Sequence, residues 1–150
     1  MSGGAFLGPS TVRLGLQAVT RDEAVRATAE ILRGDPRVGS WDALWASIGP
    51  KQVVELGGSG GGVVCLSHGR SGAVGNLALA AARLSAPVAG QQGEALVLFF
   101  VFAIPLTMAE EYLRAVGALA RAVGNAKHRT ALLGAETQDD FANLLSGWVS

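Results

Sequence analysis

One uninterrupted apolar run constrains the fold of this 150-residue chain more than any other feature. The run extends from Ala95 to Ile104, and Pro105 ends it. It is about half the length of roughly 20 residues that a membrane-spanning helix needs. Its valine and phenylalanine residues favour β-strands. The run therefore predicts a buried strand of a sheet core rather than a ligand-binding slot, and we expect no direct insertion into a membrane.

Helix-start patterns recur on both sides of this run. A threonine followed three residues later by an acidic residue is the pattern of a capping box, and it occurs at Thr20–Glu23, Thr107–Glu110 and Thr137–Asp140. Ser40 is a further N-cap candidate. Apolar residues at helical spacing then predict five helices: from Thr20 to about Leu32, Trp41–Ile48, from Thr107 to Val123, Ala126–Leu133, and from Thr137 to Trp148.

Extended segments lie between the predicted helices. The clearest besides the long run is Val63–Leu66, and Val12–Leu16 shows weaker alternation. Leu77–Leu84 is ambiguous, because its alanines favour a helix by propensity. Helices interspersed with strands predict an α/β layer fold. No repeat and no long linker divides the chain, so we expect a single domain over residues 1–150.

Composition and charge exclude several classes of protein. Apolar residues make up 49% of the chain and charged residues 16%, which indicates a globular protein rather than a disordered one. The 12 basic and 12 acidic side chains cancel, and no basic block suited to nucleic acid is present. Cys65 is the single cysteine, which rules out an intramolecular disulfide. Together with an N-terminus that lacks a signal-peptide pattern, this predicts a cytoplasmic protein.

The most unusual stretch is rich in glycine and leads into the predicted strand Val63–Leu66. Gly60, Gly61 and Gly62 stand at its end, and bare backbone N–H groups of glycines can cradle an anion. Neither of the common phosphate-binding glycine motifs matches, since no lysine follows and no G-x-G-x-x-G occurs. A flexible glycine linker before a strand is the alternative interpretation.

His68 follows this strand and is the best candidate for chemistry. A neutral imidazole is a good nucleophile near pH 7 and can carry a covalent intermediate. Arg70, two residues on, can donate hydrogen bonds to a phosphoryl group. The alternative is a structural histidine at a strand end. Cys65 is a poor metal partner for His68, because residues three apart in a strand point to opposite faces, and we expect no metal or cofactor. For His128, we expect a solvated surface position.

The sequence from Val63 to Val74, Val-Val-Cys-Leu-Ser-His-Gly-Arg-Ser-Gly-Ala-Val, resembles the signature of fructose/mannitol-type enzyme IIA domains. In that family a glycine-rich turn and an apolar strand lead to Pro-His-x-Arg. The segments Leu77–Val88, Ala95–Pro105, Glu110–Val123 and Phe141–Trp148 resemble the family's later elements in the same order. The similarity covers roughly residues 12–148.

This resemblance implies a fold, a reaction and partners. It implies an α/β fold with a mixed β-sheet flanked by helices on both sides, and therefore a strand at Leu77–Leu84. It implies that His68 accepts a phosphoryl group from the phosphohistidine of the carrier protein HPr, that Arg70 stabilises the group, and that Gly60, Gly61, Gly62 and Ser67 help to bind it. The group would pass to an enzyme IIB or act as a signal to a regulated target protein, in a sugar or nitrogen-regulatory phosphotransferase system.

Two departures from the family pattern concern the site. Ser67 stands where the family has a proline, and Tyr112 stands where it has a second histidine. A tyrosine hydroxyl donates one hydrogen bond but cannot become cationic. Glu110 and Glu111 would repel a phosphate if they face the site. The alternative function is therefore a non-catalytic regulatory binding module of the same fold.

Overall fold

The computed structural model describes residues 6–57 and 63–149. The strands of this part are β1 (Val12–Leu16), β2 (Val53–Gly57), β3 (Val63–Arg70), β4 (Ala78–Ala89) and β5 (Ala95–Ile104). The helices are α1 (Arg21–Glu30), α2 (Trp41–Ala46), α3 (Ala109–Val123), α4 (Ala126–Gly134) and α5 (Gln138–Val149). None of the helices in this part is long and apolar enough to cross a membrane.

The five strands form one mixed sheet in the order β1-β4-β5-β3-β2. The β1–β4 and β3–β5 pairs are parallel, whereas the β4–β5 and β2–β3 pairs are antiparallel. The predicted apolar strand, β5, lies at the centre, and its phenylalanines are buried as expected. This confirms the predicted α/β fold with a mixed sheet.

Helices cover both faces of the sheet. Along β4, Ala78 and Ala80 pack in a cluster with Leu44 of α2, whereas Leu79 packs on the other face in a cluster with Leu119 of α3. Both faces of β4 are therefore buried. Small alanine side chains let α1 and α2 approach the sheet closely, and this packing outweighs the helical propensity of alanine.

The predicted N-caps are mostly confirmed. The side chains of Thr20, Ser40 and Thr137 accept hydrogen bonds from the backbone N–H groups three residues on, at 3.0–3.2 Å. The cap at Thr107 is wrong, because α3 begins at Ala109 with Met108 as its N-cap. The backbone N–H of Met108 donates to the carbonyl of Pro105, so a turn occupies the residues that were expected to start the helix.

Two strands are longer than the sequence predicts. β3 continues through His68 to Arg70, because each of these residues is in register with a residue of β5. β4 continues to Ala89 across an irregularity that separates Arg83 from Val88 in its ladder with β5. Such an irregularity accommodates Pro87, which has no N–H to donate.

Strand β2 was not predicted. Its pattern is obscured by Glu55, whose carboxylate is only 9% exposed although it lies on an edge strand. The guanidinium of Arg21 lies 2.8 Å from this carboxylate, and the backbone N–H of Gln91 donates to both of its oxygens. These partners come from distant parts of the sequence, so the burial of Glu55 depends on the tertiary structure.

Candidate functional site

His68 lies on β3 and faces the layer formed by α3. Its register partner on β5 is Phe102, so the two side chains lie on the same face of the sheet. The His68 ring packs against the ring of Tyr112 from α3, with centroids 5.4 Å apart and planes tilted by 37°. Phe102 meets the Tyr112 ring edge-on at 5.3 Å. The rings of His68, Tyr112 and Phe102, from β3, α3 and β5, thus form one contact cluster with Tyr112 in the middle.

Burial is the dominant electrostatic influence on this cluster. It lowers the pKa of His68 below its ordinary value, because a half-buried imidazole loses hydration that would stabilise the cation. The same cause raises the pKa of Tyr112. At neutral pH the cluster therefore presents a neutral imidazole and a neutral phenol. The imidazole can act as a nucleophile, and the phenol can donate a hydrogen bond.

Arg70 follows His68 on the same face of β3, because alternate strand residues share a face. Its Nη2 donates to the carbonyl oxygen of Leu106 at 2.7 Å. This bond ties the end of β3 to the loop that leads from β5 into α3. The Arg70 side chain is exposed, and the guanidinium carries further N–H donors that can serve a ligand.

The opposite face of β3 is closed by α2 and the residues after it. Ser67 projects to this face and is 1% exposed, so its hydroxyl is separated from the His68 ring by the sheet. Gly69 lies on the same face, where an added Cβ would collide with Ser47 Oγ and lie 2.8 Å from Ile48 Cγ1. The absence of a side chain at Gly69 lets the end of α2 approach the strand directly beside His68.

The two acidic residues of the first turn of α3 are both exposed. Glu110 is two residues before Tyr112, so the two side chains point away from each other on the helix. Glu111 is the immediate neighbour of Tyr112 and likewise does not share its face. The repulsion expected if both carboxylates faced the site is therefore reduced by the geometry of α3.

The predicted glycine cradle at Gly60, Gly61 and Gly62 lies outside the described residues. His128 lies on α4. Its ring stacks on Trp148 with centroids 3.9 Å apart, and its Nδ1 lies 2.9 Å from the carbonyl oxygen of Ala122. The expectation of a solvated surface position for His128 is wrong, because these contacts leave it half-buried.

Sequence reasoning missed two contributors to the site. Phe102 was assigned to the sheet core alone, yet it also contacts Tyr112. Phe6 packs against Phe102 with ring centroids 6.2 Å apart. The register of β3 against β5 places Phe102 beside His68, and no local pattern reveals that register. Nothing in the sequence around Phe6 indicates a contact with residue 102.

The chain belongs to the EIIA 2 family of the phosphoenolpyruvate-dependent sugar phosphotransferase system, since the family pattern matches residues 5–148. This establishes the resemblance inferred from the order of motifs around His68. No curated protein sequence matches the chain significantly.

Solved structures of the same type share its fold. The nitrogen regulatory protein IIA-Ntr from Neisseria meningitidis is 22% identical, with 95% of this chain and 97% of that chain covered and a TM-score of 0.75. A putative PTS IIA domain from Streptococcus pyogenes is 22% identical, with coverage of 98% and 95% and a TM-score of 0.72. A complex of mannitol enzyme IIA with phosphorylated enzyme IIB from Escherichia coli contains a chain that is 17% identical. The match covers 94% of this chain and 97% of that chain, with a TM-score of 0.68.

Proposed function

We propose that this protein is a phosphocarrier in which His68 accepts a phosphoryl group from the phosphohistidine of an HPr-like protein. The observation that carries the proposal is the environment of His68 in a chain of this family. The ring is half-buried against Tyr112, and burial lowers its pKa, so the nucleophilic form is present at neutral pH.

The transfer exchanges one phosphorus–nitrogen bond for another. A ring nitrogen of His68 attacks the phosphorus with its lone pair, while the bond to the HPr histidine breaks and its electrons return to that imidazole. Phosphoryl transfer of this kind is largely a matter of positioning and charge stabilisation. In a second transfer of the same kind, His68 is the donor and the phosphoryl group passes to an acceptor protein.

Arg70 and Tyr112 are the proposed donors to the phosphoryl group. Arg70 shares the face of β3 with His68, and a guanidinium forms strong charge-assisted bonds to phosphate oxygens. Tyr112 supplies a single neutral donor at the position of the family's second histidine. Because a neutral donor stabilises developing charge less than a cation does, we expect transfer through this site to be slower than with a histidine there.

The acceptor is proposed to be an enzyme IIB or a regulated target protein. The mannitol IIA neighbour was solved together with phosphorylated IIB, and the Neisseria neighbour is named as nitrogen regulatory. Either acceptor would have to reach a half-buried histidine that lies between β3 and α3. The phosphoryl group would then either be transferred onward to enzyme IIB or act as a signal to the regulated target protein.

Tyr112 is also the observation that favours the second candidate function. A site that has lost its second cationic donor suits a regulatory binding module, which recognises a partner without transferring phosphate. In that case the surface around His68 would still dock a carrier or target. The two functions differ in whether a covalent phosphohistidine forms.

Substitution at Tyr112 separates the two functions. Rapid-quench measurement of transfer from phosphorylated HPr should give a higher rate for Tyr112→His, because the new imidazole can become cationic beside the phosphoryl group. Tyr112→Phe, which keeps the ring and removes the hydroxyl, is the matched control and should be slower than the native protein. If no variant takes up phosphate while calorimetry shows that all of them bind HPr, the binding module is the correct function.

A further inference from the structure

A continuous series of ring contacts connects the start of the described chain to His68. Phe6 packs against Phe102 at 6.2 Å, Phe102 against Tyr112 at 5.3 Å, and Tyr112 against His68 at 5.4 Å. All three separations lie in the range at which aromatic pairs attract each other. In this series Phe102 and Tyr112 stand between Phe6 and His68, so an influence of Phe6 on the histidine passes through those two rings.

The segment that carries Phe6 is held firmly in place. Leu7 is 5% exposed and belongs to the core cluster beneath α3 and α5. The hydroxyl of Thr11 donates to the carbonyl of Gly8 at 3.2 Å, and the side-chain amide of Gln138 donates to the carbonyl of Pro9 at 3.2 Å. These contacts anchor the residues that directly follow Phe6.

Phe102 is the central member of the series. It is fully buried, and it contacts Phe6 and Tyr112 while it lies beside His68 in the β3–β5 register. A closely packed interior transmits the loss of a side chain to its neighbours, because the surrounding groups relax only partly. Removing the Phe6 ring would therefore let Phe102 shift and would loosen the position of Tyr112.

We propose that Phe6 is a positioning residue for the His68 site, acting through Phe102 to hold the Tyr112 ring against the histidine. The consequence for phosphoryl transfer rests on the proposed function. Small errors in the placement of reacting groups cost large factors in rate, so a change at Phe6 should lower the rate of transfer by roughly three- to tenfold.

The test compares Phe6→Ala with Phe6→Tyr and Phe6→Leu. The tyrosine variant keeps the ring, whereas the leucine variant keeps apolar volume without a ring and serves if the alanine variant does not fold. Val149→Ala is the matched control, since Val149 is 5% exposed in the same core cluster but is not one of the rings of the series. NMR of the His68 ring protons reports the position of the Tyr112 ring through its ring current, and rapid quench reports transfer from phosphorylated HPr.

The expected result is a changed His68 ring shift and slower transfer for Phe6→Ala and Phe6→Leu, native behaviour for Phe6→Tyr, and an unchanged His68 shift for Val149→Ala. A native His68 shift in Phe6→Leu, or the same change in Val149→Ala, would overturn the proposal. The NMR measurement needs no phosphate. If no protein becomes phosphorylated, the proposed function fails while the shifts still decide whether Phe6 positions the site.

Discussion

Gly69→Ala tests whether the close approach of α2 to β3 holds the strand that carries His68. An alanine Cβ at this position would collide with Ser47 Oγ and would lie 2.8 Å from Ile48 Cγ1 and 3.0 Å from Leu44 Cδ1. Leu44 is fully buried and therefore cannot swing into solvent to make room. Either these side chains must rotate or α2 and the end of β3 must move apart.

The cost can be worked from these contacts. Forcing an extra carbon into a packed interior costs about 1–3 kcal/mol. Replacing glycine by alanine in an extended segment returns roughly 0.5–1 kcal/mol through the lost flexibility of the unfolded chain. Because three atoms lie within 3.0 Å of the added Cβ, the cost should fall in the upper half of its range, and the net destabilisation should be about 1–2.5 kcal/mol. With a urea dependence of about 2 kcal/mol per molar for a small domain, the unfolding midpoint should fall by roughly 0.5–1.2 M.

The assay is urea unfolding followed by tryptophan fluorescence, with Gly57→Ala as the matched control. Gly57 also lies in a strand, but the nearest atom to an added Cβ is Val63 Cγ2 at an ordinary 3.6 Å. Gly57→Ala should therefore leave the midpoint unchanged or raise it slightly. Equal midpoints for the two variants would refute the argument that Gly69 is required by close packing.

Two further predictions concern pH and a helix end. Burial lowers the pKa of His68 in the folded protein, whereas the same histidine in the unfolded chain titrates near 6.5. Between these two pKa values the unfolded chain therefore binds more protons than the folded protein. The contribution of this group to stability should therefore fall as the pH drops through 6.5 and on through the lower pKa of the folded protein; an NMR titration midpoint of His68 at or above 6.5 would contradict this. Arg83 donates through Nη1 to the carbonyls of Leu132, Leu133 and Ala135 at 2.7–3.1 Å at the end of α4. Arg83→Met should cost about 2–3 kcal/mol in urea unfolding, whereas Arg114→Met, at an exposed arginine of α3, should cost little. Equal losses would refute the role assigned to Arg83.

The elements that the sequence predicted well are those determined by local chemistry. Thr20, Ser40 and Thr137 cap their helices because a hydroxyl accepts from a free N–H three residues on, and both partners are close in sequence. The central strand β5 was identified because its apolar composition admits few other structures. The order of such elements also sufficed to identify the family.

The features that the sequence did not predict depend on distant partners. Strand β2 could not be recognised in the sequence, because Glu55 interrupts its apolar pattern. Glu55 is buried only because Arg21 and the backbone N–H of Gln91 donate to its carboxylate. The site was predicted only in part. The sequence indicated His68 and, through the resemblance to the family, Tyr112. It did not indicate the contacts of Phe102, which follow from the register of two strands more than 30 residues apart in the chain.

The central claim is that His68 carries the phosphoryl group, and intact-mass analysis tests it most directly. The protein is mixed with phosphoenolpyruvate, enzyme I and HPr, beside His68→Ala, His128→Ala and an enzyme IIA of known activity. The account predicts a gain of one phosphoryl mass, lost in mild acid, in the native protein and in His128→Ala but not in a folded His68→Ala. A gain that persists in His68→Ala, or no gain in the native protein while the known enzyme IIA is phosphorylated, would contradict it.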